Sequence, residues 1–328
     1  MQGKLQATSQ DETEGMAFWH KAGKKDGWLA IAPAGDGVRA AVVRRSAGAR
    51  PAVLACAFHP GKLEELAALI GKVGRELHAV QHHCSSMLPF GSYQLLSLEA
   101  PNVPAAEMKT AVGWRLKDMI DFPVADATLD VVDIPVAAGG ATHNHQVFAV
   151  AARNAVIEAH QNMYAEAKVA LGIIDIGEMA QRNISALLEP EGRGLAMLSF
   201  DGGGGLLTVT FKGELYLARR MDIALGHVEG PPEARQQYFD RIALELQRSL
   251  DNFERQFQYV AVSKLVVAPT GSSSLADYLS SNMYLPVEML DLDTVLDLEG
   301  VPELRDAAAQ NAFFLAVGGA LRDEGVAP

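Results

Sequence analysis

The stretch that decides the fold is Leu195–Phe200, Asp201-Gly202-Gly203-Gly204-Gly205, Leu206–Phe211: two apolar runs around an acid and four glycines. Both runs have strand composition, and the pair predicts a hairpin with the glycines at its tip. Four glycines there leave backbone N–H groups without side-chain cover, so an anionic group can approach closely. An acid at the mouth of such a loop suits Mg²⁺ held with phosphate. A flexible turn accounts for the same residues, and the surroundings must choose between the two.

Outward from this hairpin, the turn Lys212-Gly213 leads to a third strand, Leu215–Arg219. A long helix is expected from about Glu233 to Gln258, with Tyr238, Ile242, Leu246, Leu250, Phe253 and Phe257 as its apolar stripe and Pro231-Pro232 at its first turn. Then follow a strand Lys264–Ala268, a helix Ser273–Leu279, a strand Pro286–Met289 and an Ala-rich helix Arg305–Arg322. The first part of the chain shows the same order: strands Trp28–Ala32, Val38–Val43 and Ala52–Phe58, a helix Lys62–Arg75 and a strand Leu77–Gln81. Three antiparallel strands followed by alternating helix and strand, present twice, form a repeat of architecture. Two such lobes face each other across a cleft. Tyr93–Leu171 interrupts the first copy with a helix Ala105–Asp121, a strand Leu129–Ile134, the loop Ala137–His145, a strand Gln146–Ala151 and a helix Arg153–Leu171. The first copy resumes at Ile173–Ile176 and the helix Glu178–Leu188.

Composition narrows the function classes. The chain has 328 residues, 49% hydrophobic and 21% charged, with a formal net charge of −12. That charge argues against a nucleic-acid backbone or an anionic lipid surface as partner. Cys56 and Cys84 are the only cysteines and have neither CxxC spacing nor a disulfide framework, which points to a reducing compartment. Met1–Glu14 is polar and acidic, unlike a secretory signal, and a soluble chain with a disordered tail is expected. His82-His83-Cys84 is metal-like in composition, but strand neighbours point to opposite faces, so no metal site is expected there. No nucleophile elbow, Cys–His signature or Walker A pattern is present, and no catalytic residue is assigned.

Tyr93-Gln94-Leu95-Leu96, Glu99–Pro104, Trp114-Arg115-Leu116-Lys117-Asp118-Met119-Ile120-Asp121-Phe122-Pro123 and Asp130–Pro135 resemble the MshI proteins of the MSHA type IV pilus system. These are relatives of PilM and of the GspL cytoplasmic region. Ile174-Asp175-Ile176 with Glu178 and Ala180, Glu245–Leu250, and Ala316–Arg322 are similar to further PilM segments, so the resemblance runs from about Trp28 to Arg322. It implies an α/β, actin-like ATPase fold of duplicated ribonuclease-H-like lobes with a FtsA-type inserted α+β subdomain. The implied division is a tail 1–26, a first lobe 27–92 and 172–192, an insertion 93–171, a second lobe 193–308 and a C-terminal helix 309–328.

The resemblance further implies a cytoplasmic adaptor, peripheral to the inner membrane, that docks on the N-terminal tail of a PilN-like membrane protein. The pilus motor ATPase and self-association are further implied contacts. In the family ATP lies in the interlobe cleft. Asp201 and Gly202, Gly203, Gly204 and Gly205 match the second phosphate loop, Glu245 and Arg248 the positions that reach base and ribose, and Gly271 a loop that carries two glycines in nucleotide-binding relatives. Glu245 and Arg248 equally suit a solvated helix face laced with ion pairs to Asp251 and Arg255. The first phosphate loop departs from the pattern: Ala32-Pro33-Ala34 stands where the metal-side acid belongs, and Asp36 beside it suits a turn residue. Hydrolysis requires metal positioning, water placement and charge neutralisation together, so a degenerate, non-hydrolysing site is expected, with an active ATPase using ATP and Mg²⁺ as the alternative. Trp114, with Arg115 and Lys117 beside it, suits a peptide with apolar and acidic anchors; Trp114 also suits the core of the insertion.

Overall fold

The computed structural model describes residues 25–136 and 145–323. The tail expected over 1–26 lies, except for its last two residues, outside the described residues, as do 137–144 of the loop Ala137–His145 and residues 324–328. Asp26 itself is tied down, its N–H donating to Gln81 O at 2.8 Å and its carboxylate pairing with Arg44 at 3.2 Å.

The chain opens with β1 (Trp28–Ala34), β2 (Gly37–Arg44), β3 (Ala52–Pro60), α1 (Leu66–Glu76) and β4 (His83–Met87). An insertion follows, with β5 (Tyr93–Glu99), α2 (Met108–Leu116), β6 (Ala127–Ile134) and β7 (Gln146–Arg153). Then come α3 (Asn154–Glu166), β8 (Ile173–Asp175) and α4 (Gly177–Ser185). The remainder is β9 (Gly194–Asp201), β10 (Gly204–Phe211), β11 (Glu214–Met221), α5 (Leu225–Val228), α6 (Pro232–Gln256), β12 (Val262–Val267), α7 (Ser274–Asn282), β13 (Val287–Met289) and α8 (Ala307–Ala320).

Two five-stranded sheets have the same order, β3-β2-β1-β4-β8 and β11-β10-β9-β12-β13, each a meander extended by two parallel strands. Strand alternation makes both faces of each sheet apolar. Leu29 and Ile31 turn to a core shared with α1 and α3, while Trp28 and Ala30 face the space between the sheets. In β9 the partition repeats: Ala196, Leu198 and Phe200 meet α6 and α7, and Leu195 and Met197 look inward. Between the sheets lie α4 and α8, crossing so closely that a Cβ at Gly318 would lie 2.4 Å from Ala180 O. The insertion is a three-stranded sheet, β5-β7-β6, with α2 on one face through Val112, Leu116, Val147 and Ala149.

Some expected elements move. The strand expected at Leu77–Gln81 forms at His83–Met87, because the chain turns at His78 (φ +49°) through the short helical turn Ala79–Gln81. The helix expected over Ala105–Asp121 is continuous only from Met108 to Leu116. The helix Arg153–Leu171, placed with the insertion, is the crossover between β4 and β8. Its Tyr164 is buried with Leu29, Ile31 and Val73, so by packing α3 belongs to the first lobe.

Candidate functional site

The two equivalent hairpins are built alike. Gly35-Asp36 forms one tip, between paired Ala34 and Gly37; Gly202-Gly203 forms the other, between paired Asp201 and Gly204. The residue after each tip is a glycine at φ +142°, where a Cβ would strike a main-chain oxygen of the third strand, His59 O at 2.2 Å or Met221 O at 2.6 Å. Close backbone approach requires both glycines. A Cβ at Gly205 would meet the Phe200 ring at 2.7 Å. Of the four glycines expected at the second tip, Gly204 and Gly205 are therefore buried strand residues, and only Gly202 and Gly203 are exposed there.

The acids of both loops are already engaged. Asp201 Oδ1 accepts the Gly203 N–H at 2.7 Å, so this carboxylate closes its own turn. Asp36 accepts two bonds from the Arg39 guanidinium, at 2.8 and 2.7 Å, which hold its carboxyl below the usual carboxylate range. Ala32 lies opposite Arg39 in the β1–β2 register. Phe90, from the turn after β4, packs against the second tip, with Cδ1 3.5 Å from the Cβ position of Gly203.

The third loop is engaged as well. The Gly271 N–H donates to Glu229 Oε1 at 2.6 Å, and that carboxylate sits 2.8 Å from the Cβ position of Gly271. Asn311 of α8 joins this loop to the end of β9, its amide donating to Pro269 O at 2.7 Å and Phe200 O at 3.1 Å. No hydrogen bond or ion pair joins Glu245 or Arg248 to the Gly271 loop among the described residues. Asp240 and Gln247 mark the side of α6 that faces α7, through the Tyr278 hydroxyl and Asn282 O. Glu245 lies about 140° round the helix from Asp240. The ion pairs that the spacing of Glu245, Arg248, Asp251 and Arg255 allows do not form among the described residues.

Whether these residues fit a Mg²⁺–triphosphate follows from the partners just named. Acceptance of a phosphate at Gly271 or Gly203 would displace a carboxylate from the same N–H, and a metal at Asp36 would displace Arg39. As arranged they do not fit that group. Glu229, Phe90 and Arg220, which stacks on Phe90, carry no local sequence signal, because their partners lie dozens of residues away. The His82-His83-Cys84 tract is structural: His82 Nδ1 lies 2.5 Å from Asp26 O, and burial pushes the Cys84 thiol up to about 12. No group of metal-holding side chains is found among the described residues.

Trp114 departs from a core role. It is 77% exposed and, with Gly113, Lys117, Phe122, Val124 and Leu129, lines an apolar groove of about 930 Å³ on the insertion. Lys117 stands at its rim, whereas Arg115 turns away to donate to Glu99 O at 2.9 Å.

No family model and no curated protein matches the chain in sequence. The twice-repeated sheet order and the paired central helices define the actin-like ATPase fold, which solved structures share. The PilM–PilN type IV pilus biogenesis complex contains a chain that matches with a TM-score of 0.69 at 19% identity, covering 92% of this chain and 99% of that one. The cytoplasmic domain of EpsL, an inner-membrane component of the Vibrio cholerae type II secretion system, matches at 0.47 and 13% identity over 87% and 94%. A Bacteroides thetaiotaomicron protein with the actin-like ATPase fold matches at 0.47 and 12% over 89% and 100%. Among the described residues no helix is long and apolar enough to cross a membrane.

Proposed function

We propose that this chain is a PilM-like cytoplasmic adaptor of a type IV pilus inner-membrane assembly platform, of the MSHA type, that binds the N-terminal tail of a PilN-like membrane protein. Its nucleotide site is degenerate, and it acts as a scaffold on an ATPase fold, held at the inner membrane through that partner. The observation that carries this reading is the end-to-end likeness to the solved PilM–PilN structure. The self-engaged loops at Asp36, Asp201 and Gly271 support the degenerate site. The Trp114 groove supports the docking role: an exposed aromatic over an apolar floor is the composition of an interface anchor.

A peptide of the first dozen or so residues of a PilN-like protein from the same genome tests the reading. Titration calorimetry is expected to give saturable binding, weakened at least about tenfold by Trp114→Ala. Absence of binding to the wild-type chain would count against the adaptor role. Binding untouched by Trp114→Ala would move the docking site off this groove.

A further inference from the structure

Arg220, at the end of β11, is where the three parts of the molecule meet. Its Nε donates to Glu178 Oε1 at 3.2 Å, and its guanidinium carbon lies 3.6 Å over the Phe90 ring centre. Glu178, on the first turn of α4, is 1% exposed. Its second oxygen accepts from the Tyr93 hydroxyl at 2.5 Å, and Arg220 Nη2 lies 3.4 Å from that same hydroxyl. Arg220 belongs to the second lobe, Glu178 and Phe90 to the first, and Tyr93 begins the sheet of the insertion. Phe90 in turn packs on Gly203 at the second hairpin tip. Space is kept for the cluster: a Cβ at Gly177 would lie 3.2 Å from Arg220 Nη2.

We propose that Arg220 is a clamp between the lobes, and that Tyr93 couples the orientation of the insertion to it through their shared carboxylate. A buried carboxylate that loses one partner is strongly disfavoured, so Glu178 holds Arg220 and Tyr93 together or loses both contacts in succession. Burial pushes the Tyr93 phenol far above its ordinary range, so it remains a donor throughout the working pH range. Tilting the inserted sheet draws Tyr93 off Glu178, weakens the hold on Arg220 and frees Phe90 from the hairpin tip. The cluster is thus a two-state element that a ligand on the insertion can bias. This inference rests on the cluster's geometry and is independent of the pilus assignment.

The test is double electron–electron resonance on the full chain in a Cys56→Ser background. One pair of spin labels at Glu64 and Asp277 reads lobe against lobe, and another at Glu64 and Asp126 reads insertion against first lobe. Arg220→Met is expected to raise the population of longer lobe–lobe distances at least about tenfold. Tyr93→Phe is expected to broaden the insertion–lobe distances and, through the weakened hold of Glu178 on Arg220, to raise the population of longer lobe–lobe distances by less than Arg220→Met does. A folded Arg220→Met chain with unchanged lobe–lobe distances would overturn the clamp; unchanged insertion–lobe distances in Tyr93→Phe would overturn the coupling. Should Arg220→Met fail to fold, Arg220→Lys keeps the charge but loses the planar stack on Phe90. It is expected to give an intermediate shift, and wild-type distances in that variant would equally sink the proposal.

Discussion

His160, on α3, is 6% exposed and lies with Nε2 2.7 Å from Ser86 Oγ on β4. Tyr164 donates to the same oxygen at 2.5 Å, which leaves the serine proton for the imidazole and keeps the ring neutral. Burial lowers the His160 pKa to about 4. The folded value is depressed below the ordinary 6.5, so on acidification the unfolded chain takes up a proton that the folded chain refuses. Stability from this group is therefore full above about pH 6.5 and falls as the pH drops towards 4, by up to about 3 kcal/mol. His160→Gln keeps an acceptor for Ser86 without the titration. Urea melts between pH 7 and 4 should show a shallower loss in the variant; equal slopes would show that His160 does not titrate this way. The same scale explains Asp36 and Asp201, whose carboxylates are held by Arg39 and by the Gly203 N–H, and which stabilise turns.

At the scale of elements, the two central helices leave no room for a side chain between them. Gly318 of α8 faces Ala180 O of α4, and a Cβ at Gly319 would meet Met87 Cε at 2.8 Å and Ala30 Cβ at 3.1 Å. The glycine pair lets α8 lie against α4 and β1 at once, where side chains would hold them apart. At Gly318 the obstructing atom is backbone and cannot swing aside. Gly318→Val should destabilise by roughly 1–3 kcal/mol or more, through overpacking. An unchanged denaturation midpoint would mean that the helices part more readily than their spacing indicates. Ala316–Arg322, one of the blocks resembling PilM, is thus explained by helix packing. The likeness there reports the fold and is silent about a ligand.

For the molecule as a whole, the loops at Asp36, Asp201 and Gly271 each have a polar group engaged within the chain, by Arg39, by the Gly203 N–H and by Glu229 respectively. The carboxylate of Glu229 competes directly with any phosphate for the Gly271 N–H. Mg²⁺–ATP titration of the wild-type chain should show no saturable binding tighter than about 1 mM. Submicromolar, Mg²⁺-dependent binding that Asp201→Ala abolishes would restore the active-ATPase alternative. Glu229→Gln separates the causes, since a gain of binding in that variant alone would identify the carboxylate as the obstacle.

The sequence by itself determined the hairpins and most of the repeated order of elements, because strand alternation, helical period and turn glycines depend on near neighbours. Asp201 and Asp36 as turn residues were legible at that range, and so was the missing acid at Ala32, whereas Gly204 and Gly205, expected at the tip, are drawn into the strand by its pairing with β9. The tertiary structure alone decided which polar groups are free. Glu229 meets Gly271 across 42 residues, and Arg220 meets Glu178 across the same separation and Tyr93 across 127. It also decided that Trp114 faces outward while Arg115 turns aside, and that Glu245 lies on another side of α6 from α7. Local patterns fix what a segment becomes. Packing of whole sheets and helices fixes what each charged group finds opposite it, and the candidate site depends on those pairings.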